Sequence, residues 1–160
     1  MTNKTGMTAW LKSLRDVPTK WRRRSRAEHL LLVEAFVLLG AARLAALVLP
    51  FKWLAVTLGR RSEDAGPEIT AADLHCGRMI GQAVRSAANN TPWESVCLAQ
   101  AVAGQWMLKR RHIAGTLYLG VTKDATRPEM LAAHAWLRCG NMILTGREGY
   151  RQFTVVASFS

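Results

Sequence analysis

Cysteine is scarce in this chain of 160 residues, and the three present, Cys76, Cys97 and Cys139, form no CxxC pair and no zinc-ligand spacing. This argues against a disulfide framework, a structural metal or a metal cofactor, and free thiols are expected. The first residues, "MTNKTGMTAWLKSLRDVPTKWRRR", contain no apolar core followed by a small-residue cleavage site, so no cleavable signal is read and a cytoplasmic protein is expected. There are no internal repeats and no low-complexity tract. Acidic residues are also few: 11 Asp and Glu stand against 22 Lys and Arg, for a net charge of +11. The imbalance is local, since residues 1–61 hold 12 Lys and Arg against 3 acids while residues 62–160 hold 10 against 8. A basic section of this kind can attract nucleic acid, anionic lipid or an acidic protein. Nucleic acid is the least favoured, because the basic residues border an apolar segment and no recognition-helix or zinc-finger pattern accompanies them.

That apolar segment, "HLLLVEAFVLLGAARLAALVLPFKWLAVTLG", fills residues 29–59 and raises the question of a membrane span. Glu34 and Arg43 lie within it, each costing roughly 2.5–3.5 kcal/mol near a bilayer centre, and Pro50 interrupts it. The expectation is a buried or half-buried helix over 26–48 and a short one over 51–59, with peripheral membrane contact as a possible role. "RRSEDAGPEIT", residues 60–70, has the composition of a linker. It divides the chain into a helical section, 1–61, and a core, 62–160.

In the core, Leu74, Met79, Ile80 and Val84 recur at helical spacing and predict a helix over 71–88. A helix over 91–111 follows, then a strand at 116–121 with Leu117, Leu119 and Val121 on one face, and a charged loop. A hairpin comes next, "AHAWLRC" and "MILTG" joined by Gly140-Asn141, and "FTVVASF" forms the last strand. Helices followed by antiparallel strands make an α+β fold.

Thr91-Pro92-Trp93-Glu94 has the form of a helix start with a capping box, and Ser95 offers an equally good cap. Either choice puts Cys97 near the positive end of the helix dipole, where a thiolate is favoured. A thiolate nucleophile needs an acid and base to serve the leaving amine, usually histidine. His134 is the best placed: it shares a strand face with Trp136 and Arg138, while Ala133, Ala135, Leu137 and Cys139 face the other way. His29, His75 and His112 lack such a setting. The competing reading is that Cys97 fills apolar space, since free cysteine is among the most buried residue types.

Taken as a run, "CLAQAVAGQWMLKRRHIAGTLYLGVTKD", then "AHAWL", then "GREGYRQFTVVASF" resembles the leader peptidases (B proteins) of lasso-peptide biosynthesis, a branch of the transglutaminase-like cysteine proteases. The N-terminal apolar helices are similar to the section that precedes the protease core in that family. The resemblance implies a papain-like α+β core with Cys97 as nucleophile and His134 as general base and acid. The wider superfamily places an Asp after the histidine, but no Asp follows His134 here. Glu148 and Asn141 are the substitutes, Glu148 being nearer the expected spacing, and a backbone group could also orient the ring. The Cys97 N–H is a candidate oxyanion donor, and Trp136 and Trp93 are candidate substrate contacts. The implied activity is removal of the leader from a ribosomally made precursor peptide, freeing the core amine for an ATP-using lasso cyclase. The implied partners are that precursor, the cyclase and a separate leader-recognition protein, for which residues 1–61 are a candidate docking surface.

Overall fold

The structure, a computed structural model, describes residues 25–59, 69–91, 97–123 and 131–160. Two compact units divide the chain, Met1–Leu30 and Leu31–Ser160. Of the first unit, the described residues open helix α1 (Arg26–Val48), where the Ser25 and Glu28 side chains cap each other's backbone N–H at 3.3 and 2.7 Å.

In the second unit the helices α2 (Phe51–Leu58), α3 (Ala71–Ala88) and α4 (Cys97–Lys109) precede the strands β1 (Thr116–Lys123), β2 (Leu131–Cys139), β3 (Met142–Thr145) and β4 (Thr154–Phe159). A 3-10 turn, Tyr150–Gln152, interrupts the path from β3 to β4. The strands form one antiparallel sheet in the order β3-β2-β1-β4. The α+β order expected from the sequence is therefore observed. The 3-10 turn was not anticipated, and β1 and β2 run two residues further into the charged loop than expected, to Lys123 and from Leu131.

Helices α3 and α4 cover one face of the sheet. Small residues set how close they lie. A Cβ on Gly104 of α4 would stand 2.6 Å from Leu137 Cδ2, and one on Gly77 of α3 would stand 3.1 Å from Cys139 Sγ. Ile80, Val84, Val102, Met107, Leu108, Leu117, Leu137 and Leu144 fill the layer between. Thr70 caps α3 by a reciprocal pair with Asp73, a Thr-x-x-Asp signal present in the sequence but not read there.

Helix α1 joins this core through the narrow stripe Ala35, Leu39 and Ala42, and α2 through Leu54 and Leu58. Buried Gln105 of α4 donates to Leu58 O at 3.3 Å and to Gly115 O at 3.0 Å, tying the end of α2 to the approach of β1. Glu34, one of the charges within the apolar run, accepts from Arg111 at 2.7 and 3.2 Å and lies 3.5 Å from Arg110. By length and composition α1 could cross a membrane, with a mean hydropathy of 2.2 over its most apolar window. The stripe places it against the core, and the Arg111 fork ties it to the turn after α4.

Glu34 is 18% exposed and Arg111 30%, and a hydrogen bond to a charged group contributes about 1.5–3 kcal/mol. Glu34→Ala should therefore lower stability by about 2 kcal/mol, read as a reduced urea midpoint with unchanged slope.

Candidate functional site

Along β2 the ladder with β1 runs unbroken from Leu131 to Arg138, so its side chains alternate strictly. Ala135, Leu137 and Cys139 face the helices, and His134 and Trp136 face away. On that second face the Trp136 ring stacks on Tyr118 (centroids 5.6 Å) and meets Tyr150 (5.8 Å). His134 lies 6.0 Å from Trp136 and 5.0 Å from Phe153. Aromatic pairs at such separations fix ring orientation as well as burying area.

Residues 146–153 carry the chain from one edge of the sheet to the other and lay Tyr150 and Phe153 over these rings. The crossing begins at Gly146, in the left-handed region at φ 67°, where a Cβ would come within 2.3 Å of Ala135 O and 2.9 Å of Trp136 Cα. Only glycine fits so close to β2 in that conformation. The approach brings Gly146 O to 2.9 Å from His134 Nε2. A carbonyl only accepts, so Nε2 is the donor. In the neutral imidazole the lone pair is then on Nδ1, which has no hydrogen-bond partner among the described residues.

Cys97, half-buried at the start of the described part of α4, lies against the core cluster. The C-terminal end of α4 points toward the Arg138 end of β2, since Gly104 meets Leu137 while Leu108 reaches Gly115, itself beside Arg138 O. Cys97 is thus carried by a helix that covers one face of the sheet, and His134 is on the other face. On the edge away from β1, β2 is paired by β3 only at Leu137, Arg138 and Cys139. Among the described residues no hydrogen bond joins Cys97 to His134.

Glu148 is exposed in the crossing segment and makes no hydrogen bond to His134. Asn141 is exposed at the β2–β3 turn, beyond Cys139, which itself lies about 16 Å along the strand from His134. The hydrogen-bond acceptor for the ring is the Gly146 carbonyl, a residue that sequence reasoning passed over although it stands in the quoted "GREGYRQF". Trp136 is only 4% exposed, so it supports His134 from beneath and leaves little ring surface for a ligand. Trp93 and the caps at Thr91-Pro92-Trp93-Glu94 or Ser95 involve residues outside the described ones, apart from Thr91, whose hydroxyl donates to Ala88 O at 2.9 Å. Cys139 is fully buried, and desolvation pushes its thiol pKa upward, which makes it an inert core thiol. Among the described residues no three His, Cys, Asp or Glu side chains are grouped to hold a metal.

Residues 36–158 match the family model described as the Transglutaminase-like superfamily. The chain belongs to the transglutaminase-like superfamily. No curated protein and no solved structure matches it. The matching family model is the one used for the B proteins of lasso-peptide biosynthesis, in agreement with the resemblance carried by the Cys97 helix, the "AHAWL" strand and the closing segment. In this member of the superfamily, the stretch after the histidine supplies a backbone carbonyl to the ring where a carboxylate was expected.

Gly146→Ala should cost about 2–4 kcal/mol, combining a left-handed alanine with a clash against backbone that cannot yield. Denaturant unfolding measures this, and a loss below about 1 kcal/mol would mean the crossing segment is not pressed against β2 as described.

Proposed function

We propose that the protein performs acyl transfer through Cys97, and that the acceptor is water in the removal of a leader peptide from a lasso-peptide precursor. The supporting observation is the His134 ring, held by Gly146 O so that Nδ1 is available as a base. Family membership supplies the reaction class.

In this reading His134 Nδ1 takes the proton from Cys97 Sγ as sulfur attacks the scissile carbonyl, and the tetrahedral oxyanion is met by backbone N–H groups. The imidazolium passes that proton to the departing amine of the core peptide. The leader remains as a thioester on Cys97. Water, deprotonated by the same Nδ1, then releases the leader as a carboxylate and restores the thiol. The Gly146 carbonyl has the role of orienting group: it keeps Nε2 protonated and the ring fixed, and stabilises the imidazolium without a carboxylate. The core would be papain-like, with a leader-recognition protein presenting the substrate and a cyclase receiving the product.

Transfer to an amine instead of water would use the same groups, and the leader would then end in a new amide. A non-catalytic reading, in which the protein binds a partner or a membrane surface, is favoured by two observations. Cys97 and His134 share no hydrogen bond among the described residues, and α1 and α2 expose a run of apolar side chains, Leu44 and Trp53 at 63%, Leu47 at 70% and Val56 at 77% among them.

Intact-mass analysis of a precursor peptide incubated with the protein and its recognition partner separates the three. Hydrolysis predicts a leader ending in a carboxylate and a core with a free amine, with Cys97→Ala and His134→Ala each lowering the rate at least about a thousandfold. Processing that survives Cys97→Ala contradicts the proposal, as does an unmodified precursor with the wild-type protein.

A further inference from the structure

The crossing segment that holds His134 also borders an open groove of about 720 Å³ beside strand β3, lined by Asn141, Ile143, Arg147, Tyr150, Arg151 and Gln152 among others. The charged residues that line it are arginines, with exposed Glu148 between them in the chain. Arg147 and Arg151 line it directly. The hydrogen bond from Arg151 Nε to Tyr150 Oη (3.4 Å), with the positive charges of Arg151, Arg147 and Arg138 nearby, holds the Tyr150 phenol below the usual tyrosine range. Arg85, which donates to Leu144 O, is lowered by burial and then by Arg147. Arg147 and Arg151 thus line the groove, and Arg85 and Arg138 add positive charge in the neighbourhood. Among the described residues none of them makes an ion pair.

Such an arrangement is repulsive in the free protein and is relieved by an anion, for which the planar guanidinium fork is the best-matched donor. The wall of the groove favours a peptide over a nucleic acid as the bearer of that anion. Met142 and Ile143 belong to β3, an edge strand on which Leu144 O is taken by Arg85, and an extended peptide can add at the Met142–Ile143 end by main-chain hydrogen bonds. The groove also adjoins the proposed chemistry, since Gly146, the partner of His134 Nε2, directly precedes Arg147, and Phe153, 5.0 Å from the His134 ring, directly follows Gln152.

We infer that this groove binds a carboxylate-bearing stretch of an extended peptide, with Arg147 and Arg151 gripping Asp or Glu side chains a few residues from the bond presented to His134. The inference rests on the peptide-processing reading for its substrate class, and it assigns to that substrate an acidic recognition element.

The test measures binding without cleavage. Fluorescence anisotropy of a short tetramethylrhodamine-labelled peptide carrying Glu-Gly-Glu, and of its Gln-Gly-Gln counterpart, is followed on the full chain bearing Cys97→Ala. The acidic peptide should bind about tenfold more tightly, the size expected of one charge-assisted contact. Arg147→Gln and Arg151→Gln should each remove most of that preference. Lys52→Gln, the same change in charge at an exposed site on α2, should leave it intact. Equal binding of the two peptides, an equal loss from Lys52→Gln, or displacement of the peptide by an RNA oligonucleotide whose own binding needs the same arginines would overturn the inference. None of these results depends on turnover, so a protein that fails to process precursor while discriminating the two peptides contradicts the catalytic reading alone.

Discussion

The site depends on how closely one backbone can lie on another. Gly146 leaves β3 in a left-handed conformation and comes down onto Ala135 and Trp136, which no side chain at that position would permit. The chain then crosses the outer face of the sheet, covers Trp136 with Tyr150, sets Phe153 against His134 and presents a carbonyl to Nε2. Removing that approach would lose the tautomer, the aromatic enclosure and one wall of the basic groove together.

The opposite face follows a related rule. Gly77 and Gly104 let α3 and α4 lie tight against Cys139 and Leu137, and close packing between a helix and a sheet leaves few adjustable gaps. Helices α1 and α2 add a second layer through a few residues and one Glu34–Arg111 fork, leaving much of their apolar surface outward. A transglutaminase-like core beside a helical layer with outward apolar side chains suits a protein that works together with another.

Much of the fold could be read from periodicity alone. The apolar run interrupted at Pro50 marked α1 and α2, helical spacing marked α3, and Gly140-Asn141 marked the hairpin between β2 and β3. Alternation also put His134 and Trp136 on one face and Ala135, Leu137 and Cys139 on the other. The orienting group for His134 could not be found this way, because the search was for a carboxylate or amide side chain. A main-chain carbonyl has no residue type of its own, and the only trace of this one was a glycine after a strand. The arginine cluster was likewise hidden, since Arg85 and Arg138 converge with Arg147 and Arg151 only through tertiary contacts. Trp136, a candidate substrate contact by resemblance, is buried with Tyr150 of the crossing segment against its ring.

The account turns on the protonation of one ring. Nitrogen-15 NMR of the His134 imidazole at neutral or mildly alkaline pH distinguishes its two neutral forms directly. A proton on Nε2 and a lone pair on Nδ1 is the predicted state, in which Gly146 has prepared a base. A proton resident on Nδ1 would contradict the account, because the nitrogen required to accept from the thiol would already be occupied.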